Sequence, residues 1–274
     1  MLELHDFSVK IHRKEIVHPM DITLQNGIHG LLGPNGAGKT TWMRGVLQLY
    51  PGNQKHVTFD GAPVHPGQVG YLPQQYGLFP QMTVRESLRY FGNLKQISSS
   101  QLEEEISRCI ALVNLEDKKD ERMRKLSGGM VRRVGIAQAL LGSPPIVILD
   151  EPTAGLDPEE RLRIKNLIRE IKQDRLIVIS THIVDDIEFL CDYVEIMREG
   201  SILFADTCDA LCRQAEGKVY RIPRGETALP AGYLVKEYEQ EGSCYMRYLT
   251  ADPVSYEALE PGIEDGYLCV LKNI

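Results

Sequence analysis

The run Gly33-Pro34-Asn35-Gly36-Ala37-Gly38-Lys39-Thr40-Thr41 contains the groups needed to hold a chain of phosphates. Gly36 and Gly38 lack a Cβ, so the backbone can curl tightly and turn several N–H groups toward one anion. A helix starting at about Gly38 would aim its positive N-terminal end at the same point. Lys39 is placed to reach β- and γ-phosphates, and the Thr40 hydroxyl is a hard oxygen ligand suited to Mg²⁺. The spacing fits the pattern G-x-x-x-x-G-K-[ST].

Phosphoryl transfer to water also needs a metal ligand, an oriented water and neutralisation of charge. Asp150 and Glu151 follow the apolar run Ile146-Val147-Ile148-Leu149. Asp150 is placed to hold Mg²⁺ or one of its waters, and Glu151, pointing elsewhere, to act as general base. Ser127-Gly128-Gly129 is a second small-residue turn just before a helix, hence a second anion-binding N-terminus. If that turn and the Gly33–Thr41 loop cannot meet within one chain, two subunits would meet head to tail. His182, after a buried strand, is either a core or cap residue or a γ-phosphate contact, with its Ser180-Thr181 setting favouring the contact. Gln74, after a strand and Pro73, is either loop filler or a ligand.

These residues need elements to place them. Ile28–Leu32 reads as a buried strand and Thr41–Leu47 as a helix. Leu2–His5 and Ile22–Leu24 read as short edge strands ahead of the loop. Turn signals at Pro51-Gly52-Asn53 and Asp60-Gly61 bracket a strand at Val57–Phe59, and Val69–Leu72 is a further strand. From about Tyr76 to Arg124 the texture is helical, with capping boxes expected at Thr83–Glu86 and Ser100–Glu103. Leu102, Ile106, Ile110 and Val113 share one helical face. A helix is expected from Ser127 to about Leu141. Another opens at Asp157-Pro158, an N-cap and a preorganised first residue, with Ile164, Leu167, Ile168 and Ile171 on its apolar face. Leu176–Ile179 is a buried strand. Apolar strands alternating with helices imply a mainly parallel sheet, with ligands at the carboxyl ends of its strands. Beyond Cys208, alternating segments at Lys218–Ile222 and Cys244–Leu249 read as a small, partly β appendage.

Composition bounds the function. The 274 residues are 43% hydrophobic and 25% charged, as in an ordinary globular protein. The net charge of -7 argues against broad nucleic-acid binding. No apolar run reaches the length of a membrane span, and the polar, acidic start Met1–Asp6 is not read as a signal peptide. The six cysteines are scattered, and Cys208 and Cys212, one helical turn apart, have no second Cys/His pair. Half-buried reduced thiols are expected rather than a metal site.

Taken in order, Gly33–Thr41, Gln74, Leu126-Ser127-Gly128-Gly129-Met130, Ile146–Glu151, Gly155-Leu156-Asp157 and Ser180–His182 resemble the ATP-binding cassette (ABC) transporter ATPases over about residues 1–210. The resemblance implies a P-loop NTPase core over 1–207. A mainly parallel sheet would be flanked by helices, with an antiparallel N-terminal β subdomain and a helical subdomain inserted at about 76–142. Residues 208–274 would form a small α+β appendage. It implies ATP and Mg²⁺ as ligands, Gly33–Thr41 as the Walker A loop, and Asp150 as the Walker B aspartate. Glu151 would be the base, Gln74 a residue touching Mg²⁺ and sensing the membrane partner, Asp157 the D-loop aspartate and His182 the switch histidine. Ser127 and Gly129 would bind the γ-phosphate held by an opposing subunit.

Gly33–Thr41 and Asp150-Glu151-Pro152-Thr153-Ala154-Gly155-Leu156-Asp157-Pro158 look like exporter-type subunits that pair with a separate ABC-2-like permease, and so does the ending Ile263–Leu268. This implies a peripheral subunit on the cytoplasmic face of the cell membrane, working as a homodimer or heterodimer. Gln74 and the segment Tyr76–Pro80 would form the docking groove. The alternative is a soluble ABC ATPase acting on a protein or nucleic-acid assembly. One departure concerns the aromatic that stacks on adenine in this family: Ile11 or His12 takes its place, which leaves ATP over GTP less secure.

Overall fold

The structure, a computed structural model, describes residues 1–50, 56–75, 77–226 and 229–274. The turn signal at Pro51-Gly52-Asn53 and the docking residue Tyr76 lie outside them.

The chain begins with strands β1 (Leu2–Ile11) and β2 (Lys14–Leu24), joined by a two-residue turn at His12 and Arg13, both at positive φ. The sequence reading of short separate edge strands is corrected here. Polar residues break the local alternation, but cross-strand pairing from Leu2↔Leu24 to Ile11↔Lys14, with register shifts, makes one long hairpin. Then follow β3 (Gly27–Leu32), wholly buried, and helix α1 (Lys39–Val46). Strands β4 (Val57–Phe59) and β5 (Ala62–Pro63) join β1 and β2 in an antiparallel sheet, order β2-β1-β4-β5. Strand β6 (Val69–Leu72) leads into α2 (Val84–Leu94), α3 (Ser99–Leu112) and α4 (Gly128–Leu140).

The capping box at Thr83 and Glu86 forms as expected, each side chain bonding the other's backbone N–H. The box expected at Ser100 and Glu103 does not. The helix starts two residues earlier, with Ser98 as N-cap, and the Ser98 hydroxyl is engaged by the side chains of Ser100 and Gln101. With three serines in a row, the starting register is chosen by burial of Leu102, Ile106 and Ile110 rather than by cap chemistry.

Next come β7 (Ile146–Asp150), α5 (Pro158–Glu170), β8 (Leu176–Thr181), α6 (Val184–Leu190), β9 (Tyr193–Arg198) and β10 (Ser201–Thr207). The central sheet has the order β10-β9-β3-β8-β7-β6, parallel except for β10 at its edge. Strands β7 and β8 are buried on both faces, which is why they read as unbroken aliphatic runs. One core, centred on Ile106, Leu149, Ile164 and Ile179, joins one face of this sheet to the helices α2–α5. Another, around Phe7, Trp42, Met43 and Ile148, joins the opposite face to α1 and the antiparallel sheet.

The remaining residues form α7 (Cys208–Arg213), β11 (Val219–Pro223), β12 (Tyr233–Gln240), β13 (Ser243–Leu249), β14 (Glu257–Ala258) and α8 (Ile263–Lys272). Their antiparallel sheet runs β12-β13-β11-β14. Leu211 of α7 and Ile263 of α8 pack with Ile187, Val194 and Ile196 of the central unit.

Candidate functional site

The loop after β3 is built as its glycine spacing requires. Gly38 is the N-cap of α1 at φ +106°, and Gly36 sits at φ +82°, conformations that an L side chain resists. Gly33, Pro34 and Lys39 form a closed unit: the Lys39 Nζ donates to Gly33 O at 2.6 Å and to Pro34 O at 3.1 Å. Pro34 O also accepts from Ala37 N. Burial pushes the Lys39 ammonium below its usual range, while Glu151 and Asp150 oppose that shift. A cleft of about 350 Å³ is lined by Asn35 through Thr41, Gln74, Glu151 and Ile16.

Asp150 and Glu151 leave the carboxyl end of β7 in different directions. The Asp150 carboxylate accepts from the Thr40 hydroxyl at 2.9 Å and from the Ser180 hydroxyl at 2.6 Å. Glu151 adopts φ +49°, an uncommon conformation for a non-glycine residue. Its N–H donates to the Ser180 Oγ at 2.9 Å, which holds that turn. The Glu151 carboxylate accepts from the Gln74 Nε2 at 3.0 Å and lies 3.5 Å from the His182 Nδ1. Thr40, Asp150, Glu151, Gln74 and His182 therefore converge, although they come from four separate segments.

Ser127, Gly128 and Gly129 do not line this cleft. Ser127 caps α4, accepting from Met130 N at 3.2 Å. Gly129 lies against α5, where a Cβ would fall 2.3 Å from the Glu160 Oε2. Asp157 caps α5 by accepting from Glu160 N at 2.9 Å, and the Arg133 Nε of α4 lies 3.7 Å from Glu160. The two turns thus form a neighbouring unit of their own.

The roles of two participants escaped the sequence reading. Ser180 bridges the two acids because strand pairing sets Asp150 opposite it, a long-range register that no local motif carries. Ile16, on β2, lines the cleft, whereas Ile11 and His12, expected at the adenine position, lie at the hairpin tip and do not. The signal was missed because an isoleucine in a strand looks like any core residue.

The sequence pattern of the ABC transporter family matches residues 17–154. An ABC transporter ATP-binding protein of Synechocystis sp. is 32% identical over 94% of this chain and 79% of its own. The chain belongs to the ABC transporter family. Among other relatives, the linearmycin resistance ATP-binding protein LnrL of Bacillus subtilis is 30% identical, covering 79% of this chain and 72% of that one. The Nod factor export ATP-binding protein I of Burkholderia lata is 38% identical over 68% of this chain and 64% of that one. A solved ATP-binding subunit of an ABC transporter superposes with a TM-score of 0.68 at 27% identity, covering 78% of this chain and 92% of that one. The cassette MJ0796, solved as a dimer bound to ADP and Pi, shares the fold with a TM-score of 0.66 at 21% identity, over 76% and 98%. As an ABC ATPase, the protein is a nucleotide-binding subunit of a transporter and hydrolyses ATP. Among the described residues, no helix is long and apolar enough to cross a membrane.

Proposed function

We propose that the protein powers a membrane exporter, two copies or two related cassettes closing on two MgATP molecules and reopening on hydrolysis. The observation that carries this reading is the convergence of Thr40, Asp150, Gln74 and Glu151 on the loop cleft. The cleft suits a triphosphate: a Cβ on Gly36 would meet nothing within 4 Å, so backbone can approach phosphate there. The hydroxyl of Thr40 and the carboxylate of Asp150 are hard oxygen donors already together, and with Gln74 they would hold Mg²⁺. The ion would neutralise charge on the phosphate oxygens.

Asn35 to Thr41 would wrap the phosphates, with Gly33 and Pro34 holding Lys39 until the anion draws its ammonium away. The Glu151 carboxylate would take the proton of the attacking water, and His182 would orient the γ-phosphate. Ser127, Gly128 and Gly129 would serve a partner's nucleotide, since they lie outside this chain's own cleft. Asp157 would meet that partner at the same surface.

The Nod factor and linearmycin relatives support an export role. The membrane part would be a separate permease, placing this subunit on the cytoplasmic face. Phe79, exposed and edge-on to Tyr90 at 5.2 Å, supports a docking surface beside Gln74. We set the boundary of the catalytic unit near residue 207, with 76–142 as the helical insertion and 208–274 as the appendage.

The test is Glu151→Gln. It should bind MgATP, dimerise, and lose turnover by about 10²-fold or more, the size expected for removing a general base. Turnover at the wild-type rate would remove Glu151 from that role. A protein that stays monomeric with MgATP in light scattering would sink the clamp.

A further inference from the structure

Outside the lining of the cleft lies a buried polar cluster centred on Asp186 of α6. Asp186 is 1% exposed. Its Oδ2 accepts from the Thr153 hydroxyl at 2.6 Å and from the Thr181 hydroxyl at 3.2 Å. Its Oδ1 lies 2.7 Å from the Nζ of Lys165, which is also buried and donates to Asp185 O. A buried charge pair costs desolvation, and an aliphatic replacement would often be as stable, so stability alone does not account for it.

The four residues come from four segments that the active site must align. Thr181 precedes His182, and its hydroxyl accepts from Ile183 N at 3.0 Å, so the histidine is pinned on both sides. Thr153 lies in the turn after Glu151, where Ala154 N donates to Glu151 O. Lys165 stands on α5, the helix that Asp157 caps. We propose that Asp186 is a positioning residue: through Thr181 and Thr153 it fixes His182 and Glu151 relative to each other, and through Lys165 it ties both to the helix behind Asp157. A shift of α5 when a partner meets Asp157 would thereby reach the base and the switch histidine together. The inference rests on the roles proposed above for Glu151 and His182.

The test compares Thr153→Val, Thr153→Ser and Asp186→Asn with Glu151→Gln in steady-state ATP hydrolysis and MgATP binding. Thr153→Val keeps the volume and leaves the buried Lys165–Asp186 pair and the Thr181 bond in place, so the fold should survive with a lowered Tm. Its kcat should fall about tenfold with KM and the MgATP Kd within about twofold, because misplaced catalytic groups reduce rate without touching the phosphate loop. Thr153→Ser should restore the rate, and Asp186→Asn should be slower than Thr153→Val. Wild-type kcat in Thr153→Val beside an inactive Glu151→Gln overturns the inference alone. So does a parallel change in kcat and KM, or a serine variant as slow as the valine. Wild-type turnover in Glu151→Gln overturns the site reading and the inference with it.

Discussion

Replacing Ser180 by alanine is expected to damage both stability and turnover. Ser180 is fully buried, and its hydroxyl makes two bonds. It donates to the Asp150 Oδ1 at 2.6 Å and accepts from the Glu151 N–H at 2.9 Å. A hydrogen bond to a charged group contributes roughly 1.5–3 kcal/mol, and a buried N–H left unpaired costs roughly 1–3 kcal/mol. The Thr40 hydroxyl still serves the other Asp150 oxygen, so the lower part of each range applies, and the sum is about 3 kcal/mol. For a chain of this size that lowers Tm by roughly 6–10 °C. The catalytic effect has a separate origin. Glu151 sits at φ +49°, and the Ser180 bond is what holds its N–H in that turn. Released, the backbone relaxes toward negative φ and the carboxylate leaves Gln74 and His182. A displacement of about 1 Å can cost about 10²-fold in rate, so kcat should fall between roughly tenfold and a hundredfold. Differential scanning calorimetry and a phosphate-release assay read the two effects independently. A Ser180→Ala protein within about 1 kcal/mol of wild type and turning over normally would refute the reasoning, since that is less than one lost bond to a charge.

Gly70→Ala places a methyl 2.1 Å from Ala139 O, a backbone atom that cannot rotate away, so β6 and α4 must separate. Chemical denaturation should show a loss of about 3 kcal/mol, at the upper end for overpacking. Lys95 donates to Ala139 O and Leu141 O at the end of α4, and burial pushes its ammonium down to about 8. Between about pH 8 and the unfolded value near 10.4 the unfolded chain binds more protons, so stability rises with pH across that window. The urea midpoint of the wild type should therefore gain on that of Lys95→Met from pH 8 to 10. Arg247 grips the buried Asp265 of α8 through Nε and Nη2 and also bonds Glu260 O. Arg247→Leu leaves an uncompensated buried carboxylate, a loss of roughly 3–5 kcal/mol, and limited proteolysis should open residues 243–274 first. ATP turnover measured below the new transition should persist, because no residue of the cleft lies in that region.

What the sequence determined by itself was local chemistry. Glycines two apart before Lys39 favour a tight loop, Asp157-Pro158 supplies an N-cap and a preorganised first helical residue, and the unbroken aliphatics of β7 and β8 call for burial on both faces. Each depends on residues within a turn or strand of one another, so the tight glycine loop ahead of α1, the strand ending in Asp150, and the mainly parallel sheet flanked by helices were legible without coordinates. Tertiary structure decided what depends on distant segments meeting. The pairing of β7 with β8 put Ser180 opposite Asp150. The long hairpin brought Ile16, not Ile11 or His12, to the cleft. Competition among three adjacent serines was resolved by the core beneath α3 in favour of Ser98. A buried hub such as Asp186 draws its partners from β8, α5 and the turn after β7, and nothing in the spacing of Thr153, Lys165 and Thr181 along the chain foretells that they share one carboxylate. Local steric and capping preferences act over a few bonds and are written residue by residue, whereas register and side-chain convergence are set only when apolar faces far apart in the chain are buried together.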